Sequence, residues 1–401
     1  MKISFLLTQD LESPSGLGRY LPWAKELARL GHEVTIIALH SDYANLPDHD
    51  SVVDGVKVEY VAQMHVRKQG SQKTYYSSFR LIWITLNATY QLLRTALTHP
   101  ADVLLVGKPH PMNSIAAVLA KLFKPGIKLI VDCDDYEAAS NRFQGRLQKK
   151  IVARFENWVP KQAQLVTANT YFMINRLKAL GVPQTKLIYV PNGIDESRFN
   201  IKDQNDVSTL RSSLGLEGRQ VISYIGSMSL PSHPVDLLLK AFALVKEDLP
   251  DATLMLVGGG EDLEDLRVLA KELQIEDRTV FVGRVQPNEV VNYYALSYVT
   301  VDPVYDNDSA RGRCPLKMFE SWACGVPFIT SDVGDRGILA GDPPAAMLVE
   351  AGDTAALAKA LVRIFSETQI PISIREMGEL MVLKYYWHNL AKHFHESILE
   401  S

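Results

Sequence analysis

Short apolar runs alternate with helical patterns along nearly the whole chain, and this alternation constrains the fold more than any other feature. Continuous apolar strands that are separated by helices are typical of parallel sheets covered on both faces. The sequence therefore predicts an α/β fold. The runs are KISFLLT, HEVTIIAL, VKVEYV, VLLVG, IKLIVDC, LVTAN and KLIYV in the first half, and VISYIGS, TLMLVGGG, RTVFVGR, YVTVDPV and VPFITSD in the second.

The length of the chain and one turn-rich segment predict two domains. The 401 residues exceed the roughly 250–300 residues at which a single hydrophobic core stops growing. A turn sequence from Pro191 to Asp195 precedes a polar stretch, Asn200 to Ser208, that has no strand pattern. We predict two Rossmann-like domains, residues 1–195 and 205–380, that face each other across a cleft. The segment 381–401 is predicted to contain a helix that packs back on the first domain.

The overall composition excludes several classes of function. With a formal net charge of −4, the chain has no global basic field that could hold DNA or RNA, so no nucleic-acid partner is expected. The three cysteines, Cys133, Cys314 and Cys324, form no CxxC pair and no Cys/His cluster. Their number and spacing favour a reducing compartment and argue against a structural zinc.

The distribution of apolar residues predicts a cytoplasmic protein. The apolar run at the amino terminus is too short for a signal peptide. The most apolar helical stretch, Leu81 to Leu93, is interrupted by polar residues. It is shorter than the ~18–20 residues that are needed to span a bilayer.

Two loops of the first half carry residues suited to a ligand. Gly16 and Gly18 precede a helix, where a backbone can approach an anion closely, although a tight turn explains these glycines equally well. A dense acidic group follows the strand that ends near Val131, and it includes Asp134 and Asp135. These carboxylates could accept hydrogen bonds from sugar hydroxyls or hold a divalent metal, and the alternative is a simple helix cap.

Two loops of the second half are rich in glycine and also follow strands. Gly226 and Ser227 could present backbone N–H groups to a phosphate. The run from Gly258 to Gly260 is compatible either with a nearby ligand or with a tight turn.

The stretch from Ser309 to Pro327 is the most informative. Pro315 is placed to begin a helix and Gly325 to end it. Lys317 and Glu320 are three residues apart and therefore share one helix face, where they could form a surface ion pair. Two further cations, Arg311 and Arg313, precede the helix and favour phosphate binding instead. A carboxylate such as that of Glu320 can accept both hydroxyls of a ribose.

These segments, in this order, resemble the retaining glycosyltransferases of the GT-B fold, specifically family 4. The resemblance runs over nearly the whole chain. It rests on Gly16 and Gly18, the segment Pro191 to Asp195, Tyr224 to Gly226, Leu256 to Gly260, Phe281 to Val285, Lys317 to Pro327, and Glu350 to Asp353.

The resemblance implies a nucleotide-sugar donor, transfer with retention of anomeric configuration, and no essential metal or other cofactor. It places Glu320 on the donor ribose, Arg284 and Val285 against the base, and Gly226 with Ser227 near the diphosphate. The predicted donor-binding set is Gly226, Ser227, Arg284, Val285, Arg311, Leu316, Lys317 and Glu320; the predicted catalytic set is Asp134, Asp135, Arg313 and Lys317; the predicted acceptor set is Gly16, Gly18 and Asp134.

The chain departs from the family pattern at two places. Gly312 stands where many members have the first of two glutamates, and the loop from Ser227 to His233 lacks the usual Arg and Lys. A departing nucleoside diphosphate needs cationic compensation. We therefore expect Arg311, Arg313 and Lys317 to bind the diphosphate, with help from His233.

The expected acceptor is a glycan, a glycolipid or a small hydroxylated molecule. Two basic stretches could rest on an anionic membrane and collect a lipid-linked acceptor, which would make the protein peripheral at the inner face of the membrane. We favour the alternative, ordinary helices with aromatic side chains in the core and cations in water. The first stretch contains His65, Arg67, Lys68, Lys73, Tyr75, Tyr76, Phe79, Arg80 and Trp83, and the second contains Arg142, Arg146, Lys149, Lys150 and Arg154.

Two other functions remain open on the sequence alone. One is a nucleotide-sugar epimerase with the same fold. The other is a non-catalytic subunit that binds nucleotide sugars, which Gly312 and the altered basic loop favour. An oxidoreductase fits poorly, since the first loop lacks the full dinucleotide fingerprint.

Overall fold

The computed structural model describes residues 1–69, 72–140, 143, 145–199 and 204–400. The chain folds into two compact units: the first comprises Met1–Gly193, Gly312–Cys314 and Trp387–Ser401, and the second comprises Ile194–Arg311 and Pro315–Tyr386. Each unit has its own sheet of mainly parallel strands with helices against it. The predicted α/β fold with two parallel-sheet domains is thereby confirmed.

The first unit consists of one large sheet, a small hairpin and six helices before the chain passes to the second unit, counted over the described residues. Its strands are β1 (Lys2–Leu6), β2 (Glu33–His40), β3 (Asp50–Val53), β4 (Val56–Gln63), β5 (Val66–Gln69), β6 (Gln72–Tyr75), β7 (Val103–Gly107), β8 (Lys128–Cys133), β9 (Leu165–Ala168) and β10 (Leu187–Tyr189). Its helices are α1 (Leu21–Arg29), which a π-helical turn (Gly16–Tyr20) precedes, α2 (Ser78–Thr98), α3 (Pro111–Phe123), α4 (Glu137–Ser140), α5 (Arg146–Gln162) and α6 (Tyr171–Ala179).

The large sheet has the strand order β10-β9-β8-β7-β1-β2-β4-β3. All neighbouring strands in it are parallel except β3, which pairs with β4 in the antiparallel direction. Strand β1 lies between β2 and β7, and its residue Phe5 is in register with Ile36 on one side and Leu105 on the other. Because the parallel strands point the same way, their carboxyl ends meet at one edge of the sheet.

Side chains from β1, β7 and β8 point alternately to two cores, one on each face of the sheet. One core contains the buried sides of α2, α3, α5 and α6, for example Leu92, Ala116 and Val159. The other contains α1 and the carboxyl-terminal part of the unit, for example Trp23 and Phe394. The strands are buried on both faces, which explains why they appear in the sequence as continuous apolar runs.

The second unit has a smaller sheet in which every pairing between neighbouring strands is parallel, in the order β13-β12-β11-β14-β15-β16. Its strands are β11 (Gln220–Ile225), β12 (Ala252–Val257), β13 (Thr279–Gly283), β14 (Val299–Asp302), β15 (Phe328–Ser331) and β16 (Met347–Val349). Its helices are α7 (Gln204–Ser213), α8 (Val235–Val245), α9 (Leu263–Glu272), α10 (Val290–Leu296), α11 (Asp308–Arg311), α12 (Leu316–Ala323), α13 (Arg336–Ala340), α14 (Thr354–Ser366) and α15 (Gln369–Val382).

Helix α12 has the boundaries that its flanking residues favour. Pro315 directly precedes it, and its fixed backbone angle suits the beginning of a helix. Gly325 follows it with a φ of +64°, a conformation that glycine adopts without a steric penalty. The helix therefore begins and ends at residues that can be recognised in the sequence.

The last helix, α16 (Trp387–Glu400), is part of the first unit. The sequence predicts a separate segment from residue 381, whereas the chain joins the first unit only from Trp387. The Trp387 indole lies 5.8 Å from the ring of Trp23 in a stacked arrangement, and its Nε1 donates to the carbonyl of Gly18 at 2.9 Å. Phe394 packs edge-on against Trp23. Aromatic contacts therefore hold the helix against α1.

Trp387 is buried on one face of the first sheet, so its truncation should leave a large cavity. We expect Trp387→Ala to lower the free energy of unfolding of the first unit by about 3–5 kcal/mol. The exposed Lys392 of the same helix provides the control, because Lys392→Ala should change it by less than about 0.5 kcal/mol. Urea unfolding followed by circular dichroism measures both variants. Equal stability of the two would contradict this packing.

The aromatic residues of α2 do not lie where the sequence analysis favours them. Phe79 and Trp83 are 87% and 70% exposed, so the expectation that they belong to the core is wrong. The buried side of the helix carries smaller residues instead, Ile84, Ala88 and Leu92 among them. Among the described residues, no helix is both long enough and apolar enough to cross a membrane. The side chains of Lys68, Lys73 and Tyr75, and the whole of Arg142, lie outside the described residues.

Candidate functional site

The residues predicted to bind a donor cluster at the carboxyl edge of the second sheet. Gly226 directly follows β11, Gly258 directly follows β12, and Gly283 is the last residue of β13. Lys317 is in the first turn of α12, and Glu320 follows one turn later. This edge of an open parallel sheet is where α/β folds bind their ligands.

A buried carboxylate at this edge fixes two cations. Asp302 ends β14, and its Oδ1 accepts a hydrogen bond from Lys317 Nζ at 2.8 Å. Its Oδ2 lies 3.3 Å from Nη2 of Arg336, a side chain that is itself buried. Burial acts to raise the pKa of this carboxyl, but the charges of Lys317, Arg336 and His233 keep it well below its usual range. We call Asp302, Lys317 and Arg336 the Asp302 cluster.

Two cations, Lys317 and Arg336, pair with the carboxylate of Asp302 and are held in fixed positions by it. Arg336 also donates to the hydroxyl of Thr330 and to the carbonyl of Ala310, which fixes its guanidinium in place. Cations that are held in fixed positions can bind an anion through charge-assisted hydrogen bonds. The cluster is therefore suited to an anionic ligand.

Lys317 passes directly over Gly226. A Cβ atom on residue 226 would lie 2.5 Å from Cε of Lys317, so a larger residue there would shift the end of this side chain. The ammonium group is 4.9 Å from the ring centroid of Tyr224, whose hydroxyl donates to the carbonyl of Ser227 at 2.6 Å. The loop after β11 has no Arg or Lys of its own, and helix α12 supplies the cation that the loop lacks.

Glu320 is held by a neutral group. The Tyr294 hydroxyl donates a hydrogen bond of 2.7 Å to Oε2 of Glu320. Burial, together with the neighbouring Glu320 charge, raises the pKa of Tyr294 well above its usual value, so the hydroxyl keeps its proton. Because only its Oε2 is engaged by the Tyr294 hydroxyl and the side chain is half-buried, the Glu320 carboxylate can accept further hydrogen bonds.

The other predicted donor residues are less closely gathered. The guanidinium of Arg311 is exposed and forms a bidentate pair with Asp306, at 2.6 and 2.8 Å. Arg313 is half-buried and lies in the short segment that folds with the first unit. In that segment the Asn192 side chain donates to the carbonyl of Cys314 at 3.2 Å. The structure thus places Lys317 in the Asp302 cluster and pairs Arg311 elsewhere.

Three further predicted positions lie around these groups. Leu316 is the first residue of α12 and is half-buried. Arg284 and Val285 follow β13, and Arg284 is exposed. A Cβ on Gly259 would come within 3.0 Å of Arg284 Cγ, so this side chain lies over the glycine run after β12.

In the first unit, local packing accounts for both predicted glycines. A Cβ on Gly16 would lie 2.5 Å from the carbonyl oxygen of Asp10, and its N–H donates to Oγ of Ser13 at 3.1 Å. The carbonyl of Gly18 accepts the hydrogen bond from Trp387. Both glycines shape the turn that precedes α1.

The turn also positions Arg19. Its fully buried guanidinium donates hydrogen bonds of 2.8 and 2.6 Å to the carboxylate of Asp132. Asp132 accepts two further hydrogen bonds, from the hydroxyls of Tyr20 at 3.0 Å and Thr167 at 2.6 Å. The same guanidinium binds the carbonyl of Val190. Protein groups therefore donate all of these hydrogen bonds to Asp132, and the bonds from Arg19 connect the turn before α1 to strand β8.

Asp134 and Asp135 surround a second buried cation, Lys108. Its Nζ donates to Asp135 at 2.6 Å and to Glu137 at 2.8 Å, and it lies 3.4 Å from Asp134. Burial raises the pKa of Asp134 to about 6, even though Lys108 and Arg19 favour its ionised form. No group of His, Cys, Asp and Glu side chains within the described ranges is arranged to hold a metal ion. Both carboxylates thus belong to an ionic network.

Glu156 completes this network from helix α5. Its carboxylate accepts the backbone N–H groups of Glu137 at 2.7 Å and Ala138 at 3.0 Å, and so caps α4. Burial and the charge of Glu137 raise the pKa of Glu156 to about 7. Asp132, Asp134, Asp135 and Glu137 pair with Arg19 or Lys108, and Glu156 joins the network through the backbone of Glu137.

The sequence analysis missed several of these residues. Lys108 and Asp302 each come at or just after the end of an apolar strand, so the criterion that found Asp134 would have found them as well. Tyr294, Arg336 and Glu156 lie within helices, and no local pattern distinguishes them from surface residues. Their roles depend on the tertiary fold.

Glu156 predicts a pH dependence of stability. Its folded pKa of about 7 exceeds the ordinary value of 4.5, so the folded state holds the proton more tightly. The stabilisation is complete below about pH 4.5 and is lost as the pH rises through about 7, a change of roughly 3 kcal/mol. The side chain of the Glu156→Gln variant cannot ionise, so we expect its free energy of unfolding to depend less on pH. Amide hydrogen exchange in β8 and β9 at several pH values measures this dependence. The exposed Glu33→Gln variant is the control, and a slope for Glu156→Gln equal to that of the wild type would refute this assignment.

Comparison with known proteins gives two family matches. The family described as "Glycosyl transferase 4-like domain" matches residues 15–193, which lie in the first unit. The family described as "Glycosyl transferases group 1" matches residues 219–367, which lie mostly in the second. The two matched regions together contain the Asp302 cluster, Glu320 and the network around Lys108.

Curated relatives and solved structures agree with these matches. The N-acetyl-alpha-D-glucosaminyl L-malate synthase of Bacillus anthracis is 26% identical over 88% of this chain and 84% of that protein. A GDP-mannose-dependent monoacylated alpha-(1-6)-phosphatidylinositol monomannoside mannosyltransferase of Corynebacterium glutamicum is 26% identical over 54% of this chain, and the match spans only about half of that relative (56%). The fold is similar to that of Anabaena HepE in complex with UDP and glucose, with a TM-score of 0.76, 17% identity and complete coverage of both chains.

Proposed function

Because the chain belongs to the group 1, family 4-like glycosyltransferases, we propose that it moves a hexose-type sugar from a nucleoside diphosphate to a hydroxylated acceptor. The Asp302 cluster is proposed to bind the diphosphate, with Gly226 and Ser227 beside it. Glu320 is proposed to bind the ribose, and Arg284 with Val285 to lie against the base.

One observation carries this proposal: Lys317 extends over Gly226 at the carboxyl edge of the second sheet, where Asp302 holds its ammonium group in place beside Arg336. A nucleoside diphosphate gains negative charge on its leaving phosphate as the bond to the sugar breaks. Fixed cations that face this developing charge stabilise the transition state more than the ground state. Glu320, three residues along the same helix, faces the same side as Lys317.

The proposed reaction proceeds with retention of configuration and needs no protein nucleophile. The leaving phosphate would accept the proton of the acceptor hydroxyl as the new glycosidic bond forms. We propose that Lys317 and Arg336 supply the positive charge for this step, so that no essential metal or other cofactor is required. HepE has been crystallised with UDP and with UDP-glucose, which supports a nucleotide-sugar donor.

The acceptor is proposed to be a saccharide or a lipid-linked molecule that the first unit binds. Asp134 and Asp135 are carboxylates at the carboxyl edge of the first sheet, where sugar hydroxyls could donate to them. The mannosyltransferase relative acts on a phosphatidylinositol monomannoside, a glycolipid. This relationship supports a hydroxyl-bearing lipid or glycan as the acceptor.

The function is tested by donor binding and turnover. We expect wild-type protein to bind UDP or GDP and to release it from the matching nucleotide sugar when an acceptor is present, with EDTA making no difference. We expect Lys317→Ala to weaken binding of the nucleoside diphosphate about 10–100-fold, because a charge-assisted hydrogen bond contributes roughly 1.5–3 kcal/mol.

Arg311→Ala is the matched control, since that arginine is exposed and paired with Asp306. It should weaken binding by less than about threefold. The Arg313→Ala variant shows whether the second predicted arginine contributes to binding of the nucleoside diphosphate. Calorimetry measures affinity, and a nucleotide-release assay measures turnover. Unchanged affinity in all three variants would eliminate the proposed phosphate site, and binding without turnover against a broad acceptor panel would contradict the reaction.

Tyr294 is proposed to position Glu320 and does not itself need to touch the donor. Tyr294→Phe removes only the hydroxyl that holds Oε2. We expect KM for the donor to rise about three- to tenfold with kcat nearly unchanged, because the ribose contact acts equally in the ground and transition states. Tyr293→Phe, on the preceding residue of the same helix, is the control. A fall in kcat with unchanged KM would contradict a positioning role.

A further inference from the structure

Helix α2 has a second apolar side that faces solvent. Its buried side packs on the first sheet through Ile84, Ala88, Leu92 and Ala96. The opposite side carries large apolar residues at intervals of three and four, which places them in one stripe along the helix. These exposed residues are Phe79, Ile82, Trp83, Leu86 and Tyr90.

Helix α5 has a stripe of the same kind. Leu147 is 72% exposed, and Ile151 and Trp158 are also exposed. They occupy positions i, i+4 and i+11, and the exposed Arg154 occupies i+7 of the same stripe. Val152 and Val159 lie on the buried side. Both helices therefore expose an ordered apolar stripe in addition to the one that contacts the core.

The two stripes lie on the same face of the first unit. Side chains of α2, α3 and α5 belong to one hydrophobic core on one side of the sheet, and α3 contacts both of the other helices. Short connections lead from the carboxyl ends of α2 and α5 into β7 and β9, so both helices begin near the carboxyl edge of the sheet. Phe79 and Leu147 are thus at the edge where Asp134 and Lys108 lie.

The charges around these stripes are almost all positive. Helix α2 contains no Asp or Glu, and Arg80 in its first turn is exposed. Helix α5 has exposed cations at Arg146, Lys149 and Lys150, and its one acidic residue, Glu156, is buried at the cap of α4. The chain as a whole has a net charge of −4, so this surface differs in sign from the rest of the molecule.

We propose that the exposed sides of α2 and α5, the basic apolar face, dock the protein on an anionic lipid bilayer. Apolar side chains on helices that lie along a surface insert into the boundary between headgroups and acyl chains, and adjacent Lys and Arg bind anionic headgroups. A symmetric dimer through this face would bring its cations against those of a second copy, so charge complementarity favours an anionic lipid surface. Docking goes beyond the proposed function, because it needs neither donor nor turnover.

Full-length protein and vesicles test this proposal. Wild-type protein should co-sediment with vesicles of phosphatidylcholine and phosphatidylglycerol, and much less with phosphatidylcholine alone. The double variant Phe79→Ser with Trp83→Ser removes apolar contacts, and Lys149→Glu with Lys150→Glu reverses charge. We expect each to weaken vesicle binding about tenfold or more. The variants should fold normally because all four side chains are exposed.

The control changes two other exposed apolar residues, in the second unit: Leu244→Ser with Val268→Ser should bind vesicles like the wild type. UDP binding by every variant should be unchanged, which separates a failure of docking from a failure of the donor site. The proposal is overturned if wild-type protein ignores anionic vesicles, or if either variant pair binds them as well as the wild type. A different outcome would assign the face to a second copy of the chain. In that case the wild-type protein would form dimers and bind no vesicles, and the double variant Phe79→Ser with Trp83→Ser would be monomeric.

Discussion

The buried carboxylate of Asp302 determines where positive charge lies in the second unit. It ends strand β14, so the sheet fixes its position, and its two oxygens each hold one cation. Lys317 and Arg336 come from different helices, and both are largely removed from water. Without Asp302 they would repel each other in a poorly solvated place. The carboxylate makes it possible to keep two cations together in fixed positions at this edge of the sheet.

The corresponding edge of the first unit has the opposite balance. There, acidic side chains outnumber the cations Arg19 and Lys108, and burial shifts Asp134 and Glu156 toward their protonated forms near neutral pH. Such groups suit hydroxyl-bearing ligands, since a carboxylate accepts hydrogen bonds and a protonated carboxyl can also donate one. The same parallel-sheet architecture therefore presents chemically different edges, and the difference lies in the loops after the strands.

The sequence was sufficient to predict the strands and the loops at their carboxyl ends, because strands buried on both faces remain continuous apolar runs. It also identified Lys317 and Glu320 as one face of a short helix, since that depends only on local spacing. Partners were harder to predict. Arg311 pairs with Asp306 and Glu320 with Tyr294 through contacts that the fold creates. The prediction that Phe79 and Trp83 lie in the core was wrong because the apolar pattern of α2 does not indicate which of its two apolar sides is buried.

The altered loop after β11 is explained by the geometry of α12. A cation on a loop must be held in place at an entropic cost, whereas Lys317 is fixed by a rigid helix and by its bond to Asp302. Residues three apart on a helix lie about 5–6 Å from each other. One short helix therefore holds a cation and a carboxylate at a constant separation, as the proposed contacts to the diphosphate and the ribose require. Gly226 is the condition for this arrangement, because any larger residue there would displace the lysine.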